Sequence, residues 1–152
     1  MLGTSITTVN KGFYAGFRYI NTLFGQNAFT CYGFRGQLAK QVFNGATNDN
    51  IITDTNWHNA CYTNNDELIG QWYVDGVSAT TTSRYNPISA DAPDGIKSTG
   101  DSTYNLNVAR PNGPSTYNPL GGSLSSLTIY NKALSAQEVL QNYNATKSIY
   151  GY

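Results

Sequence analysis

The side chains able to do acid–base, nucleophilic or metal chemistry are few in this chain and poorly grouped. Cleaving a glycosidic bond takes two carboxyl groups about 5–10 Å apart, yet the sequence holds two glutamates, Glu67 and Glu138. Glu67 follows Asp66 in a segment that reads as the turn between two strands, where water solvates both side chains. Glu138 reads as part of a helix cap. His58 is the single histidine, and a serine or cysteine triad would need it. It follows Trp57 at the start of an expected strand with no nucleophile motif nearby, so it is expected as a strand residue paired across a sheet. The sequence has no His/Cys cluster at zinc spacing, no Gly-x-Gly-x-x-Gly and no phosphate-binding loop. No residue is therefore assigned a catalytic role, and the chain is expected not to be an enzyme.

Calcium is the one metal the loops could partly serve. Asp49 with Asn48 and Asn50, or Asp91 with Asp94, could offer oxygens, but calcium takes six to eight of them. Neither loop supplies enough by itself, and Asn and Asp also favour turns by bonding their own backbone. No metal ligand and no cofactor are assigned. Cys31 and Cys61 each lie in an expected strand. They read as two small buried thiols, with a disulfide between neighbouring strands as the alternative.

The elements that must position these residues read as short strands separated by turns. Gly12–Ile20 is dense in aromatics; Thr22–Phe24, Ala28–Arg35 and Leu38–Phe43 follow, with Asn44-Gly45 as a hairpin-type turn signal. Trp57–Thr63 and Gln71–Val77 come next, the second carrying Asp75-Gly76, which suits a two-residue primed turn because both positions need positive φ. Residues 78–102 hold loop and breaker signals throughout, and Tyr104–Arg110 alternates again. A glycine pair then introduces Leu124, Leu127, Ile129 and Tyr130 in a β-prone run. Ser135 and Glu138 make a capping box, with Leu134 and Val139 placed to close a hydrophobic staple. A helix is expected over Ala136–Lys147, turning Val139, Leu140 and Tyr143 to the rest of the protein. Such strand spacing is that of an all-β sandwich, here a single domain over 1–152.

Composition narrows the partners. Nine basic and nine acidic residues balance, and 12% of residues are charged. Binding nucleic acid by neutralising phosphates wants a basic excess, which is missing. The apolar runs fall short of the ~20 residues that cross a bilayer. The first ten residues show neither the charged nor the apolar region of a secretory signal.

A strand ending Ile129-Tyr-Asn-Lys-Ala-Leu-Ser135 and entering a capped helix resembles the closing signature of the concanavalin A-like lectin/glucanase superfamily, in its laminin G-like branch. Trp57-His-Asn-Ala-Cys-Tyr-Thr63 and Gln71-Trp-Tyr-Val-Asp-Gly-Val77 resemble two further strands of that branch. The resemblance implies an antiparallel two-sheet jelly-roll sandwich with one short C-terminal helix. It also implies that Trp57 and Trp72 belong to the core and that Ala60 and Tyr62 point inward. Glycosidases of the superfamily carry a Glu-x-Asp-x-x-Glu type spacing on one strand, which this chain lacks.

Sugar faces stack on aromatic rings, and Tyr85, Tyr104 and Tyr117, in or beside loops, are the carbohydrate-binding candidates. Few residues precede Gly12–Ile20 where the branch has a further strand or two. An open, aromatic edge invites pairing, so Phe13, Tyr14, Phe17 and Tyr19 are expected at an assembly contact, with residues 1–11 folding back as the alternative. Small chains of this branch, rich in Asn, Thr and Tyr and without a signal, look like virion proteins. The resulting expectation is a non-enzymatic virion component, as capsid decoration, tail or fibre, contacting itself or other virion proteins and able to adhere to host glycans. The alternative is a free carbohydrate-binding module at a cell surface or outside the cell.

Overall fold

The computed structural model describes residues 2–3, 12–18, 27–35, 40–65, 69–82, 107–108 and 122–151. Within them lie nine strands: β1 (Leu2–Gly3), β2 (Gly12–Arg18), β3 (Ala28–Arg35), β4 (Lys40–Thr47), β5 (Ala60–Thr63), β6 (Gln71–Val74), β7 (Val77–Ser78), β8 (Thr81–Thr82) and β9 (Asn107–Val108). One helix, α1 (Ala136–Tyr150), follows. A six-stranded antiparallel sheet has the order β8-β4-β3-β2-β1-β9, and a three-stranded one the order β5-β6-β7. The fold is all-β, two-sheeted and antiparallel with a single C-terminal helix, a jelly-roll-like sandwich as expected.

The three-stranded sheet is the middle layer, and the period-2 alternation of β6 explains why. Trp72 and Val74 point to one face and Tyr73 to the other. On the first face Trp72 meets Cys31, Phe29, Ala79, Ile51 and Tyr62 against the larger sheet. On the second, Tyr73 packs with Leu134, Val139 and Cys61 under the helix. The Trp72 ring lies 5.2 Å from Phe29 and 5.1 Å from Tyr62, centroid to centroid. Its indole N–H donates to the Gly45 carbonyl at 3.1 Å, joining the sheets at β4. Thr81 adds a second tie, its hydroxyl accepting from the Trp72 backbone N–H at 3.0 Å.

The helix begins as its sequence demands. The Ser135 hydroxyl accepts from the Glu138 N–H while the Glu138 carboxylate accepts from the Ser135 N–H at 2.8 Å. Leu134 and Val139 are buried in one cluster, which closes the staple. The helix runs to Tyr150, three residues past the expected Lys147. It stops where Gly151 adopts φ 78° and its N–H bonds the Lys147 carbonyl at 2.9 Å. Val139 is buried and Tyr143 half-buried, whereas Leu140 is exposed, contrary to expectation: it lies one step round the helix from Val139 and so off the packed stripe.

Several other expectations change. Asn44-Gly45 is no turn; β4 runs through both residues, and the chain turns at Asp49 and Asn50 instead. The pairs Tyr32↔Asn44 and Cys31↔Gly45 hold them in the ladder. The run from Leu124 to Tyr130 has no strand assignment, and its four large apolar residues are exposed. Leu124 and Leu127 are three apart, so they cannot share one face of a strand. The strand expected from Trp57 starts only at Ala60, which is exposed rather than inward, while Tyr62 packs inward as expected. The open edge at β2 is also corrected. Leu2↔Ala15 and Gly3↔Tyr14 pair β1 onto β2, and β9 pairs on β1, so β2 lies inside the sheet with Phe13, Tyr14 and Phe17 in its ladder. This is the folding-back that was the alternative. Tyr19, Thr22–Phe24 and most of Tyr104–Arg110 lie outside the described residues.

Candidate functional site

Three ionisable side chains, Asp54, His58 and Asp75, gather at the turn between β6 and β7. Asp75 has φ 50° and Gly76 φ 76°, the pair of positive values a primed two-residue turn requires. Carrying the β5–β6 register one step beyond Ala60↔Val74 sets Asn59 opposite Asp75. There the Asp75 N–H donates to the Asn59 carbonyl at 2.9 Å, and the Asn59 N–H donates to Asp75 Oδ1 at 2.8 Å. The other carboxylate oxygen, Oδ2, lies 2.8 Å from His58 Nδ1. On the far side of the ring, Nε2 lies 3.0 Å from Asp54 Oδ1. That same oxygen accepts the Asn56 N–H at 2.8 Å, bending the chain just before Trp57.

An imidazole placed between two carboxylates can donate to both only when it is protonated, since the neutral ring has one N–H. Partial burial lowers the His58 pKa, but hydrogen bonds and charge from Asp75 and Asp54 outweigh it, and the net shift is upward. The Asp54 carboxyl is held below its ordinary range, first by the Asn56 N–H and then by His58. The arrangement is a clamp joining residues 54–59 to the hairpin turn. His58 is thus not the cross-strand residue expected of it: the strand starts two residues later, and its ring is bound by loop and turn carboxylates.

Trp57 is also corrected. It is 42% exposed and belongs to neither core cluster, whereas Trp72 is 4% exposed and central to one. The bend at Asp54–Asn56 takes Trp57 out of the strand ladder, so the inward alternation never reaches it. No sequence signal short of strand register pairs His58 with Asp75. The Asp-Gly turn sets only the β6–β7 register; the pairing of His58 with Asp75 follows from the separate β5–β6 register.

The other assigned residues separate. Asn48, Asp49 and Asn50 form the turn after β4, where Asn50 has φ 56° and accepts from the Asn27 side-chain amide at 3.3 Å. Among the described residues no group of three or more His, Cys, Asp or Glu side chains is disposed to hold a metal ion. Asp66, Glu67, Tyr85, Asp91, Asp94, Tyr104 and Tyr117 lie outside the described residues. Glu138 serves the helix cap and an ion pair with Lys132. Lys132 and then Ser135 hold its carboxyl down to about 2. Cys31 and Cys61 are free thiols in different clusters on opposite faces of the middle sheet, which removes the disulfide alternative. Burial raises both thiol pKa values. Among the described residues no helix is long and apolar enough to cross a membrane.

A family model described as the concanavalin A-like lectin/glucanases superfamily matches residues 4–140. No curated protein and no solved structure matches the chain.

Proposed function

Since the chain belongs to the concanavalin A-like lectin/glucanases superfamily, we propose that it is a non-enzymatic, lectin-like module that binds carbohydrate. The observation that carries this reading is the family match over 4–140, together with a two-sheet sandwich whose layers are tied through Trp72. Fold by itself does not give function, so the chemistry has to agree. What supports the non-enzymatic part is that, among the described residues, Glu138 is committed to a helix cap and the carboxylates of Asp54 and Asp75 are bonded to the histidine between them. Neither arrangement is the carboxyl pair facing a glycosidic bond that hydrolysis requires. The virion reading, drawn from small size, composition and the lack of a signal, gains nothing from the comparisons, so the lectin-like reading leads.

Screening the purified chain on a glycan array tests the proposal. The expected result is retention on a restricted set of glycans without release of shortened sugars. Alanine at Tyr85, Tyr104 or Tyr117 reports whether those loop tyrosines stack on the bound sugar. Failure to bind any arrayed glycan overturns the lectin reading, and turnover of a bound polysaccharide overturns the non-enzymatic one.

A further inference from the structure

Trp57 combines three properties on a single loop: an exposed indole, a backbone tied down on either side, and a local surplus of negative charge. Just before it, the Asn56 N–H is bonded to Asp54; just after it, His58 and Asn59 are bonded to Asp75. An exposed aromatic ring held this way offers a flat apolar face that loses little freedom on binding. Asp54 and Asp75 with one imidazolium between them leave a net negative charge on the loop and turn that hold Trp57. Such surroundings suit an uncharged sugar and disfavour one bearing carboxylate or sulfate.

Resting on the lectin-like reading above, we propose that residues 54–59 form a contact for uncharged glycans. Trp57 supplies the stacking face, and His58 is the positioning residue that holds the loop to the hairpin. The clamp needs the doubly protonated ring, so binding is tighter in acid than in alkali. Among the described residues, the charged groups facing the ring are Asp54 from the loop and Asp75 from the turn. From α1 the turn receives Tyr143, packed against Gly76, with the Lys147 ammonium 5.7 Å from the Tyr143 ring centre. The raised pKa of His58 agrees in sign. The clamp's contribution is complete below the ordinary histidine value of about 6.5 and is lost as pH rises through the higher folded value.

The test uses immobilised neutral hexose and N-acetylhexosamine oligosaccharides, with sialylated and sulfated ones alongside, probed by the full chain. Trp57→Ala is expected to weaken binding of the neutral set by about tenfold or more, as loss of a buried aromatic anchor does. Trp57→Phe should retain most of it. The wild type should bind more tightly near pH ~5.5 than near ~8, a range in which histidine alone among side chains titrates at its ordinary pKa, and His58→Gln should flatten that profile. Trp57 joins no core cluster, so an unchanged far-ultraviolet spectrum is expected of both its variants. Neutral-glycan binding that Trp57→Ala leaves unchanged overturns this site while leaving the lectin reading intact. A wild-type profile flat with pH overturns the role of His58, and preference for the anionic glycans overturns the ligand class. No glycan binding by the wild type overturns the site and the lectin reading together.

Discussion

Single residues in this protein are constrained by backbone geometry and by what lies immediately above them. Gly76 has φ 76°, and a Cβ built there would lie 2.8 Å from Tyr143 Cδ1. Gly151 has nearly the same φ, 78°, but its would-be Cβ meets nothing within 4 Å beyond the adjacent backbone. Left-handed backbone costs a non-glycine residue about 1–2 kcal/mol. Gly151→Ala is therefore expected to lose about 1 kcal/mol in urea unfolding, and Gly76→Ala about 2 kcal/mol or more, because it must also displace the Tyr143 ring. Thr30 offers the opposite case. Its hydroxyl is buried in β3 without a hydrogen-bond partner. Thr30→Val keeps the shape and removes the orphaned group, so it should be neutral or stabilising by up to about 1 kcal/mol. The Asp75-Gly76 turn was legible in the sequence because its dipeptide has one good backbone solution. The carboxylates around His58 were not, since they come together only when the hairpin register brings position 59 opposite 75.

At the scale of elements, α1 shows how local signals suffice where the chain neighbours itself. Ser135, Glu138, Leu134 and Val139 all act as their spacing implied, since cap and staple need only residues within one turn of one another. Ser135→Ala should lower stability by about 1 kcal/mol, measured by chemical unfolding at neutral pH. The Glu138 carboxyl is held down to about 2 in the folded protein, below the ordinary glutamate value of about 4.3. A depressed value stabilises the fold above the ordinary pKa and ceases to as pH falls through the folded one. Helix stability should thus decline between pH ~4.3 and ~2 in wild type but not through this group in Glu138→Gln. Because Glu138 and Lys132 are exposed, added salt should shrink the difference. The Leu124–Tyr130 run had β-prone residues too, yet has no strand assignment. Strand formation depends on a partner and a shared face, and Leu124 and Leu127 stand on opposite faces of any straight strand.

For the whole molecule, the decisive feature is the middle sheet, packed on both sides. Trp72 binds it to the larger sheet through stacking and through its hydrogen bond to Gly45. Trp72→Ala is expected to cost about 3–5 kcal/mol, whereas Trp57→Ala should stay within about 0.5 kcal/mol. Equilibrium unfolding of the two variants side by side checks the contrast. By itself the sequence determined the fold class, the Asp-Gly hairpin and the capped helix. Turn dipeptides, alternation and capping boxes are short-range instructions that every chain segment carries with it. Only the tertiary structure decided which tryptophan is core, that β1 closes the flank of β2, and that Cys31 and Cys61 lie apart. It likewise decided that His58 bridges Asp54 and Asp75. Each of these depends on strand register and sheet order, which arise from contacts between distant segments and cannot be read from any one of them.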